Sequence, residues 1–322
     1  MVARGANDSS RHPIFCMKNR IADLSVKIGK LKLQNPVMVA SGTFGVEYGE
    51  LVNLRKLGAY IAKTVTLEPR LGNPPPRVFE TAYGMLNSIG LENKGIDDFI
   101  NEKIPKLKKI GVPIIASVAG DNSDEYAVIT RKLSGSGVNA IELNLSCPNV
   151  KHGLRKGLIA QDGVAVYETV KKCRAVTDLT LIAKLSPNVT DIAEIALSAE
   201  KAGADAITLV NTFPAMAIDI ETARPILGNV TGGLSGQAMK PIALKMVRDA
   251  YFKLNIPIIG SGGIMDYKDA VEFILCGSSA VQIGTASFID PDAFSRVLNG
   301  LKEYMKRKKI KRIKDLIGGI VK

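Results

Sequence analysis

The stretch Ile141–Asn149, reading IELNLSCPN, sets a thiol among amides. Its first half reads as a buried strand. Pro148 then ends the ladder, because it lacks a backbone donor and fixes φ. Cys147 therefore stands at a strand end beside Asn144, Ser146 and Asn149, which can all hydrogen-bond. A small Cys filling the core is the bland alternative for an isolated thiol. A Cys147/His152 pair for acyl transfer is a second, but five residues within one loop is an awkward reach, and no third group orients the base.

Other strand ends carry residues of similar use: Ser41, Lys63, Ser117, Asn144, Lys184, Asn211, Gly262–Gly263 and Gly284–Thr285. Each alone has a plain explanation as a turn residue or a snorkelling lysine. Together on one rim they can hold an anion, and the glycine turns can present backbone N–H groups to a phosphate. A phosphorylated cofactor that becomes anionic during turnover would be stabilised by two such lysines. Reduced flavin is a cofactor of that kind.

These strand ends need a scaffold, and the apolar runs supply one. Leu24–Leu33 alternates around Gly29 as a small β-hairpin. Short β-branched runs follow at Pro36–Ala40, Ala59–Ala62, Pro113–Val118, Asn139–Leu145, Leu179–Leu185, Ala204–Val210, Ile256–Ile259 and Ser279–Ile283. Helical patterns lie between them at Ser123–Ser134, Ala165–Val176, Ile192–Ala202, Pro241–Lys253 and Tyr267–Cys276. Strands apolar throughout, alternating with helices, imply a parallel sheet covered on both faces. Eight such units predict an α/β fold, a (β/α)8 TIM barrel with inserted loops at its C-terminal face. An open doubly wound sheet is disfavoured, since GSGGI (260–264) lacks GxGxxG spacing and comes too late for a first βα unit. The long connections Thr66–Gly111 and Asn211–Lys240 are expected to be lids or binding loops.

Composition narrows the class. The chain has 322 residues, 46% hydrophobic and 23% charged, as expected of a soluble globular protein. Four Cys, none in a CxxC pair, argue against a disulfide scaffold, a zinc ribbon or an iron–sulfur cluster. The net charge of +12 gathers near Lys302–Lys314, yet aromatic content is only 5%, so stacking platforms for nucleic acid are scarce. A solvated basic helix face explains the run better. Residues 1–21 read as a flexible tail with no apolar run for a signal peptide or membrane span, and residues 22–322 as one catalytic domain. A cytoplasmic location is expected, with no nucleic-acid or membrane partner.

The chain resembles the dihydroorotate dehydrogenases, specifically the soluble class 1 enzymes in their NAD-linked B subtype. The matching pieces are ASGTFG (40–45), AKTVTLEPRLGNPPPRVFET (62–81), GMLNSIGLEN (84–93), ELNLSCPNVKHG (142–153), IAKLSPN (182–188), LVNTFPAMAID (209–219), GNVTGGLSG (228–236), GSGGI (260–264) and QIGTA (282–286). The resemblance implies oxidation of dihydroorotate to orotate in pyrimidine synthesis. Cys147 would take the C5 proton and FMN the C6 hydride. It implies substrate contacts from Lys63, Asn87, Ser88, Ile89, Gly90, Leu91, Asn144, Asn149, Asn211 and Thr212. FMN contacts would come from Ser41, Lys63, Thr64, Ser117, Asn144, Lys184, Val210, Gly236, Gly262, Gly263, Gly284 and Thr285. FAD and a [2Fe–2S] cluster are expected only on a partner subunit passing electrons to NAD, joined to a homodimer as a heterotetramer. The fumarate-dependent A subtype is the alternative, and no metal site is expected.

Overall fold

The computed structural model describes residues 22–145 and 159–321. The N-terminal tail expected over residues 1–21 lies outside the described residues, as do Cys147, Asn149 and His152.

The chain enters through a hairpin of β1 (Val26–Ile28) and β2 (Leu31–Leu33), as its alternation predicts. The Lys30 N–H donates to Thr180 Oγ1 at the start of a barrel strand, so the hairpin sits at the end opposite the mouth. Four strands then appear in order: β3 (Val37–Val39), β4 (Ala59–Ile61), β5 (Val78–Thr81) and β6 (Gly84–Asn87). They are followed by β7 (Ile114–Val118), β8 (Ala140–Asn144), β9 (Thr180–Lys184) and β10 (Ala206–Leu209). Next come β11 (Phe213–Ala215), β12 (Ile218–Asp219), β13 (Arg224–Pro225) and β14 (Gly232–Ser235). The last are β15 (Ile258–Ser261) and β16 (Ser278–Ile283).

Eight of these close into a parallel barrel in the order β10-β15-β16-β3-β4-β7-β8-β9. Residues of β7, β8 and β9 are buried without exception, because helices cover one face and the barrel interior the other. The expected (β/α)8 barrel is the observed fold. Its covering helices begin where short polar side chains accept from backbone N–H groups. Asn122, Asp162, Asp191 and Asp266 cap the helices Ser123–Leu133, Gly163–Arg174, Ile192–Lys201 and Tyr267–Cys276. In the last, Asp269 returns a bond to the cap and completes a capping box.

Two expectations need correction. The strand expected over Ile256–Ile259 instead spans Ile258–Ser261. The Phe273 ring packs where a side chain of Gly260 would project, 2.4 Å from such a Cβ, so the strand continues through a glycine that reads as a turn. The basic run is helical only to Lys308. Lys309 takes a left-handed φ of 57° and ends the helix Ala293–Lys308. Its lysines are nonetheless exposed, while Ile313 and Leu316 beyond it are buried.

The two long connections are more ordered than loops. The first carries β5 and β6, the second β11 and β14, and they pair with each other in a four-stranded sheet, β11-β14-β6-β5. No helix among the described residues is long and apolar enough to cross a membrane.

Candidate active site

The carboxyl ends of the barrel strands open into a cavity of about 510 Å³, within the range of small-molecule and cofactor sites. Ser41 follows β3, Lys63 and Thr64 follow β4, Asn144 and Lys184 end β8 and β9, and Val210 to Thr212 follow β10; all line it. Gly262, Gly263, Gly284 and Thr285 complete the barrel's share. The four-stranded sheet lays Asn87, Gly236 and the Ile89–Leu91 turn over the opening. Sequence-predicted residues thus meet in one space from both the barrel and its insertions.

Ser88 and Ser117 do not line the cavity, and both are fully buried. Ser88 Oγ accepts from Asn73 Nδ2 at 3.0 Å and so braces the lid. Ser117 Oγ lies 2.9 Å from Thr64 Oγ1, which in turn lies 3.1 Å from Ser41 Oγ. Its link to the cavity runs through Thr64.

The amides are held by each other. Asn211 Nδ2 donates to Asn144 Oδ1 at 3.1 Å, and Asn144 Nδ2 to Thr64 Oγ1 at 3.3 Å. The Asn144 carbonyl is fixed from behind by Tyr126 Oη at 2.7 Å. Asn87 lies at the register point between β14 and β5, and its Nδ2 donates to the Gly233 carbonyl at 3.3 Å. The turn after it is set by Asn93. Its Nδ2 donates to Thr66 Oγ1 at 2.8 Å and to the Leu91 carbonyl at 2.7 Å, and its Oδ1 accepts from Gly95 N–H at 2.8 Å.

Beneath the cavity lies a polar layer. Glu142, Thr208 and Gln282 come from β8, β10 and β16, alternate strands of the barrel, as expected for one interior layer. Such layers are usually Val, Ile or Leu. Here Gln282 Nε2 donates to Glu142 Oε2 at 2.5 Å and Thr208 Oγ1 to the same oxygen at 2.8 Å. Lys184 Nζ donates to Gln282 Oε1 at 3.2 Å and lies 3.9 Å from Glu142 Oε1.

Several lining residues carry no signal of their own in the chain: Met85, Met239 and Phe288 read as ordinary apolar positions. Ser235 could have been found, because it lies inside the GNVTGGLSG stretch, and Thr285 Oγ1 donates to its Oγ at 2.9 Å.

This is a barrel enzyme with its site at the carboxyl ends of the strands, where residues from both halves of the chain converge. The dihydroorotate dehydrogenase family model matches residues 23–305. A protein of Caldicellulosiruptor saccharolyticus named dihydroorotate dehydrogenase B (NAD(+)), catalytic subunit, is 50% identical over 92% of this chain and 99% of its own. One of the same name from Endomicrobium trichonymphae is 51% identical over 94% and 98%. A crystal structure of DHODH in complex with ferulenol from Eimeria tenella superposes with a TM-score of 0.76 at 26% identity, covering 94% of this chain and 90% of that one. The chain belongs to the dihydroorotate dehydrogenase family and is an oxidoreductase.

Members of that family take FMN in general. The residues here fit it. Gly262 and Gly263 have φ of 128° and 76°, where L side chains are strained. A Cβ on Gly263 would meet the Gly236 carbonyl at 2.8 Å and Lys240 N at 2.9 Å, so backbone alone can form this wall. Two lysines and a row of hydroxyl and amide groups suit the phosphate, the polyol and the ring edge.

Proposed function

We propose that this protein oxidises dihydroorotate to orotate and passes the electrons to NAD through a separate electron-transfer subunit. The observation that carries the substrate reading is the convergence of Lys63, Asn87, Asn144, Asn211 and Thr212 on one cavity. Dihydroorotate is a small anion with a carboxylate and an imide. A cation suits the first, and amides that can donate and accept suit the second. The Ile89–Leu91 turn closes over the substrate and excludes water, which strengthens these contacts.

Bound against Lys184 and the glycine walls, FMN would supply the hydride acceptor. The chain's own share is to orient the substrate and remove a proton. Cys147 is the proposed base, taking the C5 proton on its thiolate; it follows the end of β8 by three residues. Asn149 is proposed as a further amide on the substrate. We place residues 22–322 in one catalytic unit. The relatives' name, a catalytic subunit, supports the existence of a partner subunit. That it carries FAD and a [2Fe–2S] cluster, with two barrels joined to two such partners, is part of the proposal.

The test is on purified protein. It should be yellow and release one FMN per chain on denaturation, and dihydroorotate should bleach it anaerobically. Turnover should then require NAD together with the co-purifying partner. Turnover with fumarate and no partner would instead assign the A subtype, and folded protein that takes up no FMN would overturn the cofactor reading.

A further inference from the structure

The polar layer under the cavity holds a carboxylate that substrate binding does not call for. Glu142 is fully buried and Lys184 is 6% exposed. Glu142 stands two residues before Asn144 on β8, so both face the barrel interior, with Glu142 one layer deeper. Asn144 lines the cavity and Glu142 does not.

Its hydrogen bonds have one polarity. Lys184 Nζ donates to Gln282 Oε1, and Gln282 Nε2 donates to Glu142 Oε2. An ammonium has only donors and a carboxylate only acceptors, so the amide between them is held in one orientation. Thr208 Oγ1 fills the remaining site on Oε2. Glu142 Oε1 accepts no hydrogen bond among the described residues, and its nearest described cation is Lys184 Nζ at 3.9 Å. A buried charge without an opposite charge is strongly disfavoured, so this pair is matched on purpose or not at all. An apolar layer would be the cheaper solution if only packing were needed.

We infer that Glu142, acting through Gln282, is a positioning residue. It fixes the Lys184 ammonium at the cavity floor and offsets its charge, and so sets the balance between oxidised and reduced cofactor. The inference rests on the reading of this cavity as an FMN site. A cation beside the flavin favours the reduced, more negative form. Lys184 alone would push that preference far. With a carboxylate held two hydrogen bonds away, the cofactor meets a tempered charge in a fixed place. Electrons can then be taken from substrate and still be released to an acceptor.

Two substitutions move the floor in opposite directions. Glu142→Gln keeps the shape and deletes the carboxylate charge 3.9 Å from the ammonium. Gln282→Met changes no charge but removes a described acceptor of the ammonium, which should then shift toward Glu142 and away from the cavity.

The experiment is a spectroelectrochemical titration of FMN-loaded wild-type protein and both variants. For Glu142→Gln, the preference for reduced over oxidised FMN should rise about 10-fold or more, an upward shift of about 30 mV for a two-electron couple. For Gln282→Met it should fall by a similar factor. A role confined to folding would lower stability in both without this split in sign. An unchanged or lowered midpoint in Glu142→Gln overturns the inference. If that variant does not fold, Gln282→Met decides it alone, and an unchanged or raised midpoint there overturns it. Wild-type protein that retains no FMN would refute the cofactor reading, whereas FMN-bound protein with unmoved midpoints would refute only the role of Glu142.

Discussion

At the scale of the residue, the proposed chemistry turns on proton removal by one thiol. A hydroxyl in its place is a poorer base near neutrality. Cys147→Ser should therefore slow dihydroorotate-driven bleaching by about 10²-fold or more at pH 7 in single-turnover stopped flow. An unaltered rate would remove Cys147 from the mechanism. Asn93 tests the positioning of substrate rather than its reaction. It ties Leu91 to Thr66 and Gly95, and Leu91 sits at a φ of 58°, a conformation that needs such support. Asn93→Ala should raise KM for dihydroorotate by about 10-fold, about 1.4 kcal/mol, with kcat changed less. Equal losses in kcat and kcat/KM would place Asn93 in transition-state contacts instead. Cys147 stood out in the chain because it lies in a dense local motif, whereas Asn93 came only as the last residue of the GMLNSIGLEN piece. Glu142 did not stand out, since a charge inside an apolar strand shows its use only when the facing strands are known.

At the scale of the element, what was legible follows from where each segment's contacts lie. The barrel strands are buried on both faces, so β7 reads as a mostly apolar run (IIASV) and its place is plain. The lid strands are short and half-exposed, and they hold Pro214, Gly232 and Gly233, residues that usually end strands. Their partners are remote in sequence, and no local pattern reports such pairing. Hence Met85 and Ser235 joined the site unannounced, whereas the glycine turns after β15 and β16 were expected. Gly233 shows how close that pairing is: a Cβ there would lie 2.0 Å from Thr212 Oγ1. Gly233→Ala should displace Thr212 and the β11–β14 contact. KM for dihydroorotate should rise by about 10-fold or more, while FMN affinity, set mostly by the barrel walls, changes under about threefold. Equal weakening of both would show that the lid also carries the cofactor.

At the scale of the whole molecule, the barrel's stability responds to buried groups that do not line the cavity. Burial pushes the Cys173 thiol up to about 11, from 9.0, and burial followed by the nearby Glu47 charge raises the Tyr60 phenol as well. The unfolded chain then gives up these protons first as pH rises. Their contribution is complete below about pH 9 and, for the thiol, is lost through about pH 11. Urea midpoints should fall across that window by an amount equivalent to about 2–3 kcal/mol for the thiol. Cys173→Val should flatten the fall, and a wild-type curve level from pH 8 to 11 would contradict it. The lid sheet bears on how such chains can change. Asn87 and Gly233 bond across 146 positions of sequence. Recombination with a distant relative at any point between them would marry strands from two parents, leaving edges that no longer match. Working chimeras should be those that inherit both stretches from the same ancestor, so that the mouth of this barrel passes down its lineage as one part written in two places.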